Sequence, residues 1–348
     1  MMNDFYQNSG KWGKRLYNVL TSCTYFTPVL RHNSSCRKSL LLPLYANLNK
    51  NKENTSLQKE KLTIYMVLKE TTFSGGLSDR FRAITSIYAE CKKQGIPFKI
   101  FFSTLKLTDY LLPNQYDWTI DENEICYDTK KVYPCTLLTY HSNLKNPLQH
   151  WSQKIILRNY LKKNYQQIHL YSNMVTQDNY FGELFHELFK PSELLQQQIN
   201  LRLQEIGGKH TYIAMVFRFR QLLGDFKEGG ETLVEEERNA YIRRCFKIVE
   251  QQHQKNSDCK ILVTSDSSTF LQAVQELPYV YTIPGEVVHI SFSFNADKMT
   301  YMKSFIDYYM LSYAKKIILV RDKKMYHSGF ALRAALLNQA EYQETPLS

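Results

Sequence analysis

Four short clusters in this chain have the residue types to hold an anion. The apolar run Tyr212 to Phe219 (YIAMVFRF) reads as a strand that ends in arginines, Arg218 and then Arg220. A second strand, Lys260 to Thr264 (KILVT), runs into Ser265-Asp266-Ser267-Ser268, which doubles as the cap of the next helix. His327-Ser328-Gly329-Phe330 opens the last helix. Gly75 and Gly76 lie between an apolar run and a helix, with Ser78 and Asp79 as N-cap candidates. Helix starts carry free N–H groups and the positive end of the helix dipole, so strand, turn and helix in that order suit an anionic ligand. At the glycine pair the alternative is a plain tight turn, because the full G-x-G-x-x-G pattern is absent.

The elements that must position these clusters alternate along the chain. Leu62 to Leu68 (LTIYMVL) reads as a buried strand, and Leu77, Phe81, Ile84, Tyr88 and Cys91 fall on one face of a following helix. Gly95-Ile96-Pro97 stops that helix before a strand at Phe98 to Phe102. Residues 104–150 are rich in turn formers and aromatics and show little periodicity. Gln167 to Tyr171 reads as a strand. Gly182 to Ile206 is helical, interrupted at Pro191, and closes at Gly207-Gly208, taken as the domain boundary. Helices at Glu231 to Gln252, Asp297 to Ala314 and Ala331 to Leu337 then alternate with strands at Val280 to Ile283 and Lys316 to Val320. Such alternation predicts α/β architecture with parallel sheets and ligands at the strand C-termini. The expectation is two Rossmann-like doubly wound domains facing a cleft, the GT-B arrangement. Residues 61–207 would form the N-terminal domain and 208–348 the C-terminal one.

Composition narrows the partners. Of the +11 net charge over 348 residues, +6 falls in residues 1–60, where nine Lys and Arg face only Asp4, Glu53 and Glu60. These residues read as a basic, poorly ordered extension, so that deleting 1–55 is expected to leave the fold intact. They contain no apolar stretch of about 18 residues and no secretory signal pattern. Trp12, Leu16, Tyr17, Val19 and Leu20 suit a short amphipathic helix on a membrane surface, with a loose tail as the alternative. Seven scattered cysteines without a C-x-x-C pair point to reduced thiols in a cytoplasmic protein and away from structural zinc.

Taken together, Gly75-Gly76-Leu77-Ser78-Asp79-Arg80, Val216-Phe217-Arg218-Phe219-Arg220, Val263-Thr264-Ser265-Asp266 and Ser328-Gly329-Phe330 resemble the motifs of the α1,2/α1,6/protein-O-fucosyltransferase superfamily, which includes the rhizobial nodulation enzymes. The resemblance spans residues ~62–340. It implies inverting, metal-independent transfer of fucose from GDP-fucose, or of another sugar from its nucleotide, to a glycan hydroxyl, as in polysaccharide biosynthesis, with no further cofactor. Residues 61–207 would then be the acceptor domain and 208–348 the nucleotide-sugar domain. Carried over residue by residue, it makes Arg218 the ligand of the β-phosphate. Arg220, Ser328, Gly329 and Phe330 join it at the diphosphate. Ser265 and Asp266 fall near the ribose or base, and Gly75, Gly76, Ser78 and Arg80 form the donor-side turn. A fork-shaped guanidinium at a strand end suits a leaving diphosphate, which gains charge as the bond breaks. Three departures stand out. The family histidine falls on Val216 and its second arginine on Phe219, while the acidic residue beyond them is displaced to Asp225 or Glu228. Transfer needs a group to take the acceptor proton, and Asp225 and Asp79 are the candidates.

Two other classes remain open at this point. A binding module that keeps the fold without turnover fits the missing histidine. A nucleic-acid binder would use the basic extension, although the body shows no RRM, KH or helix-turn-helix signature; the expectation is no nucleic acid.

Overall fold

Two runs in which every residue is buried, β1 (Leu62–Val67) and β7 (Ile213–Phe217), lie inside two separate sheets. Unbroken apolar burial is what a parallel strand covered on both faces requires. The structure, a computed structural model, describes residues 41–50, 60–69, 71, 75–137, 147–173, 180–225, 231–288 and 297–347. It divides into two compact units. The first takes the described residues up to Gly75, Arg80–Ser103 and those within Asp117–Asn179; the second takes Gly76–Asp79, Thr104–Tyr116 and those from Tyr180 onward.

In the first unit β1 pairs in parallel with β2 (Phe98–Phe102) and β5 (Gln167–Ser172), and β4 (Val132–Leu137) completes the order β2-β1-β5-β4. Helix α1 (Leu77–Gln94) follows β1, and the expected stripe of Leu77, Phe81, Ile84, Tyr88 and Cys91 is buried. Arg82 on α1 donates from Nε to the Asn173 carbonyl at 2.8 Å, tying the helix to the end of β5. Helix α2 (Pro147–Leu161) crosses from β4 to β5. Neither β4 nor α2 is expected from the sequence: β4 lies within residues 104–150, read there as irregular, and α2 lies mostly beyond them.

One expectation about the extension is corrected. Residues 41–50 are helical, and Leu41 and Tyr45 are fully buried in the core of the first unit with Ile64, Met66 and Tyr127. The Tyr45 hydroxyl lies 2.7 Å from His169 Nδ1 and 2.9 Å from the Tyr171 hydroxyl. A tyrosine placed against a buried histidine on a sheet strand belongs to the fold, not to a tail. The amphipathic stretch Trp12 to Leu20 lies outside the described residues.

The second unit holds a five-stranded parallel sheet. Its strands are β7, β8 (Ile261–Ser265), β9 (Val280–Thr282), β10 (Lys316–Arg321) and β11 (Glu341–Pro346), in the order β11-β10-β7-β8-β9. Helices α3 (Phe181–Leu188), α4 (Glu193–Ile206), α5 (Glu235–Lys255), α6 (Ser268–Val274), α7 (Lys298–Ser312) and α8 (Gly329–Asn338) accompany it. The break expected at Pro191 is a short strand, β6 (Phe189–Pro191), antiparallel to β3 (Leu111–Pro113). Gly207, at φ 107°, ends α4 in the left-handed form that favours glycine. Because Thr104–Tyr116, α3 and α4 all group with the second unit, the units do not divide at Gly207-Gly208 as expected.

Helices α3 and α8 pack backbone to backbone. A Cβ on Gly182 would stand 2.5 Å from the Leu336 carbonyl oxygen and 2.7 Å from that of Leu337. Gly182→Ala must push the helices apart, and is expected to cost about 1–3 kcal/mol as overpacking does. A urea midpoint unchanged from wild type would contradict that packing.

Candidate active site

In a doubly wound sheet the loops part where the strand order reverses, leaving a crevice at the strand C-termini. In the second unit that reversal lies between β7 and β10. Arg218, Phe219 and Arg220 leave β7, and residues 322–328 leave β10. The Tyr326 N–H donates to the Arg218 carbonyl at 3.1 Å, joining the two loops.

Asp266, which follows β8, fixes this corner. Its Oδ1 accepts from the Phe219 N–H at 2.8 Å, and its Oδ2 accepts from the Arg220 N–H at 2.6 Å and from Arg218 Nη1 at 2.9 Å. The Asp266 side chain is 2% exposed and that of Arg218 17%. Burial pushes the Asp266 carboxyl above its usual range, while Arg218 and the two N–H groups pull against it. The clamp also explains the backbone of Arg220, which sits at φ 56° although it is not glycine. Sequence reasoning expected Asp266 near a ribose or base; here its oxygens hold the arginine loop in shape.

The start of α8 forms the second half of the site. The Ser328 hydroxyl caps it by accepting from the Phe330 N–H at 3.2 Å. The Gly329 carbonyl accepts from the Ser78 hydroxyl at 3.1 Å and from Arg333 Nη1 at 3.2 Å. A Cβ on Gly329 would lie 2.4 Å from that Nη1, so glycine is what allows the Arg333 guanidinium to lie against the helix start. Phe330 rests edge-on against Tyr308, with ring centroids 5.1 Å apart. Arg333 is fully buried and did not figure among the expected residues, since a lone arginine on an apolar helix leaves no local signature.

Several expected residues have partners within the fold. The Asp225 Oδ2 accepts from the Ser267 hydroxyl at 2.8 Å and from the Thr269 N–H at 2.7 Å, so it caps α6. The Ser265 hydroxyl accepts from the Ser267 N–H at 3.1 Å, beneath the same cap. Arg80 is 1% exposed; its Nε donates to the Gly75 carbonyl at 3.1 Å and its guanidinium lies 5.3 Å from the centre of the Phe102 ring. Arg80 therefore closes the glycine turn, with Gly75 at φ 65°. Gly75 and Arg80 belong to the first unit; Gly76, Ser78 and Asp79 group with the second. Phe73, Ser74 and Glu228 lie outside the described residues. Among the described residues no group of three His, Cys, Asp or Glu is arranged to hold a metal ion, and no helix is long and apolar enough to cross a membrane.

No family model and no curated protein matches the sequence. Solved structures do. The fucosyltransferase NodZ from Bradyrhizobium superposes with a TM-score of 0.51 at 14% identity, covering 80% of this chain and 93% of that one. NodZ α-1,6-fucosyltransferase co-crystallised with GDP gives 0.50 at 13% identity, and the form soaked with GDP-fucose 0.50 at 14%, each over 80% of this chain and 93% of its own. The chain has the GT-B fold of the fucosyltransferases. The expected fold class is thereby met, with the four-stranded and five-stranded sheets wholly parallel and only the small β3-β6 pair antiparallel among the described residues.

On this GT-B scaffold the departures at 216 and 219 have a physical reading. Val216 is an interior residue of β7, 6% exposed, so an apolar side chain fills the place where the motif has histidine. Phe219 is 1% exposed and packs in the core with Phe217, Tyr241 and Phe270. The nearest arginines to position 219 along these loops are Arg218 and Arg220, while Arg333 is fully buried against the Gly329 carbonyl. Tyr326, which sequence reasoning also missed, lies with its ring centroid 5.2 Å from the Arg220 guanidinium carbon.

Proposed function

We propose that the chain is a glycosyltransferase that moves fucose from GDP-fucose to a glycan hydroxyl, with inversion and without a divalent metal. The observation that supports this most is the convergence of Arg218, Arg220, Arg333 and the start of α8 at the strand-order reversal of the second sheet. A diphosphate needs fixed positive charge and N–H donors, and these elements supply both. The GDP-bound and GDP-fucose-soaked NodZ structures on the same fold make guanosine diphosphate the first donor nucleotide to try; another nucleotide sugar is the alternative donor.

In the proposed reaction the acceptor oxygen attacks the anomeric carbon as the bond to the diphosphate oxygen breaks. The sugar inverts, and the diphosphate leaves with an added negative charge. Arg218 meets that charge, and its pairing with Asp266 fixes one edge of its guanidinium beforehand. The acceptor proton goes to Asp79. Ser78 is held on the Gly329 carbonyl at 3.1 Å, which ties the first turn of α1, where Asp79 lies, to the start of α8; Asp225 caps α6. That occupation of Asp225 also favours a second reading, a nucleotide-sugar or glycan-binding protein without turnover. Release of GDP from GDP-fucose in the presence of acceptor glycans separates the two. The N-terminal stretch remains a proposed contact with an anionic membrane surface in a cytoplasmic setting.

A thermal-shift comparison tests the donor. GDP and GDP-fucose at 100 times their Kd should each stabilise the protein by about 2.7 kcal/mol, with or without EDTA. A shift from UDP-sugars alone, or one abolished by EDTA, would sink the assignment.

A further inference from the structure

Tyr326 is 47% exposed, whereas Met325 before it is 6% exposed and Ser328 after it 8%. Its main chain is tied to β7 through the Arg218 carbonyl, and the Arg220 guanidinium lies 5.2 Å from its ring centroid. Arg220 is in turn held at φ 56° by the Asp266 carboxylate. An exposed aromatic ring is thus positioned by main chain and by a cation, two residues before the cap of α8. We propose that Tyr326 is the platform on which the nucleobase of the donor stacks.

The inference rests on the nucleoside-diphosphate reading above and names a further part of that site. Two residues of extended chain span about 7 Å. That is comparable to the ribose and α-phosphate separating a base from a β-phosphate held at the start of α8. Stacking uses the face of the base, which every nucleobase offers, and a tyrosine has little side-chain freedom to lose on binding. A guanidinium against the ring adds a cation–π contact that keeps the ring in place. The interior position of Val216 strengthens the case, because the strand end that carries histidine in the motif contributes no flat polar ring here.

Calorimetric titration with GDP and with inorganic pyrophosphate tests the platform. Tyr326→Ala is expected to weaken GDP on the order of tenfold to a hundredfold and to leave pyrophosphate binding unchanged, while Tyr326→Trp retains GDP. Equal loss for both ligands would mean that the phosphate loop was disturbed, and would overturn the proposal. So would a loss seen with GDP-fucose and not with GDP, since the ring would then be stacking the sugar. Wild-type protein that binds neither ligand removes the nucleotide reading and this inference with it. Wild-type protein that binds GDP no better than Tyr326→Ala removes this inference alone.

Discussion

Arg218→Ala protein is expected to lose turnover and stability together, and pH should separate the two. If Arg218 meets the charge developing on the leaving diphosphate, its removal lowers kcat by on the order of 10²–10³, with less effect on the donor KM. Arg218→Lys keeps the charge without the planar fork and should restore only part of the rate. The stability loss has a different origin. Arg218 is the cationic partner of a carboxylate that is 2% exposed, and breaking such a pair from one side costs about 3–5 kcal/mol. Burial already raises the Asp266 carboxyl, and without Arg218 it rises further. A carboxyl with a raised folded pKa stabilises the fold below its unfolded pKa, near 4, and that contribution is lost as pH rises through the folded value. The stability deficit of Arg218→Ala should therefore be larger at neutral pH than at mildly acidic pH, whereas the deficit in kcat should persist at both. Chemical denaturation and steady-state kinetics at two pH values are the measurements. Full turnover in Arg218→Ala would discard its assignment to the diphosphate, and Arg220 would be tested next.

Truncation at residue 50 is expected to unfold the first unit or to destabilise it severely, and Tyr45 explains why. The hydrogen bonds around it fix one another. Gln167 Nε2 donates to the Glu124 carbonyl at 2.7 Å, and its Oε1 accepts from the Cys126 N–H at 3.0 Å, so the amide orientation is set by two backbone groups. His169 Nε2 must then carry the proton that faces Oε1 at 2.9 Å, which leaves Nδ1 as the acceptor for the Tyr45 hydroxyl. The Tyr171 hydroxyl in turn donates to Tyr45. Tyr45→Phe removes the donor to a buried Nδ1 and should cost about 1–3 kcal/mol. Tyr45→Ala also empties a fully buried ring site and should cost about 3–5 kcal/mol. Urea denaturation reads both, and a wild-type midpoint in Tyr45→Ala would show that the helical residues 41–50 add nothing to the first unit.

Much of the alternation was legible because its strands are buried on both faces and its turns carry glycine, proline or capping residues. β1, β2, β5, β7, β8 and β10 each fall within a residue or two of where the apolar runs placed them. The missed strands are sheet edges. β4 contains Pro134, which argues against a central strand but is tolerated at an edge. β11, EYQETP, is largely exposed and charged, so no apolar run marks it. Residues 41–50 were hidden by their basic neighbours, although Leu41 and Tyr45 are spaced i, i+4. At the site, the arginines and the helix cap could be read locally. The clamp of Asp266 on the 219–220 backbone could not, because it depends on β7 and β8 lying side by side.

The strand order also governs when the proposed donor site can form. β1 has both its neighbours once β5 is complete at Ser172, before β7 has been made. β7 ends at Phe217, but β10, its partner on one side, begins only at Lys316, and α8 only at Gly329. During synthesis one apolar edge of β7 thus waits for about a hundred residues to emerge, roughly 5–20 s at ribosomal speed. The wait is inherent in parallel pairing across long separations, which also folds slowly. Arg218 and the α8 start therefore cannot meet until both β10 and α8 have been made, so a nascent chain that folds its first unit early would still pass through a stage with an open second sheet. Chaperone demand should track that stage, set by topology and not by any one side chain.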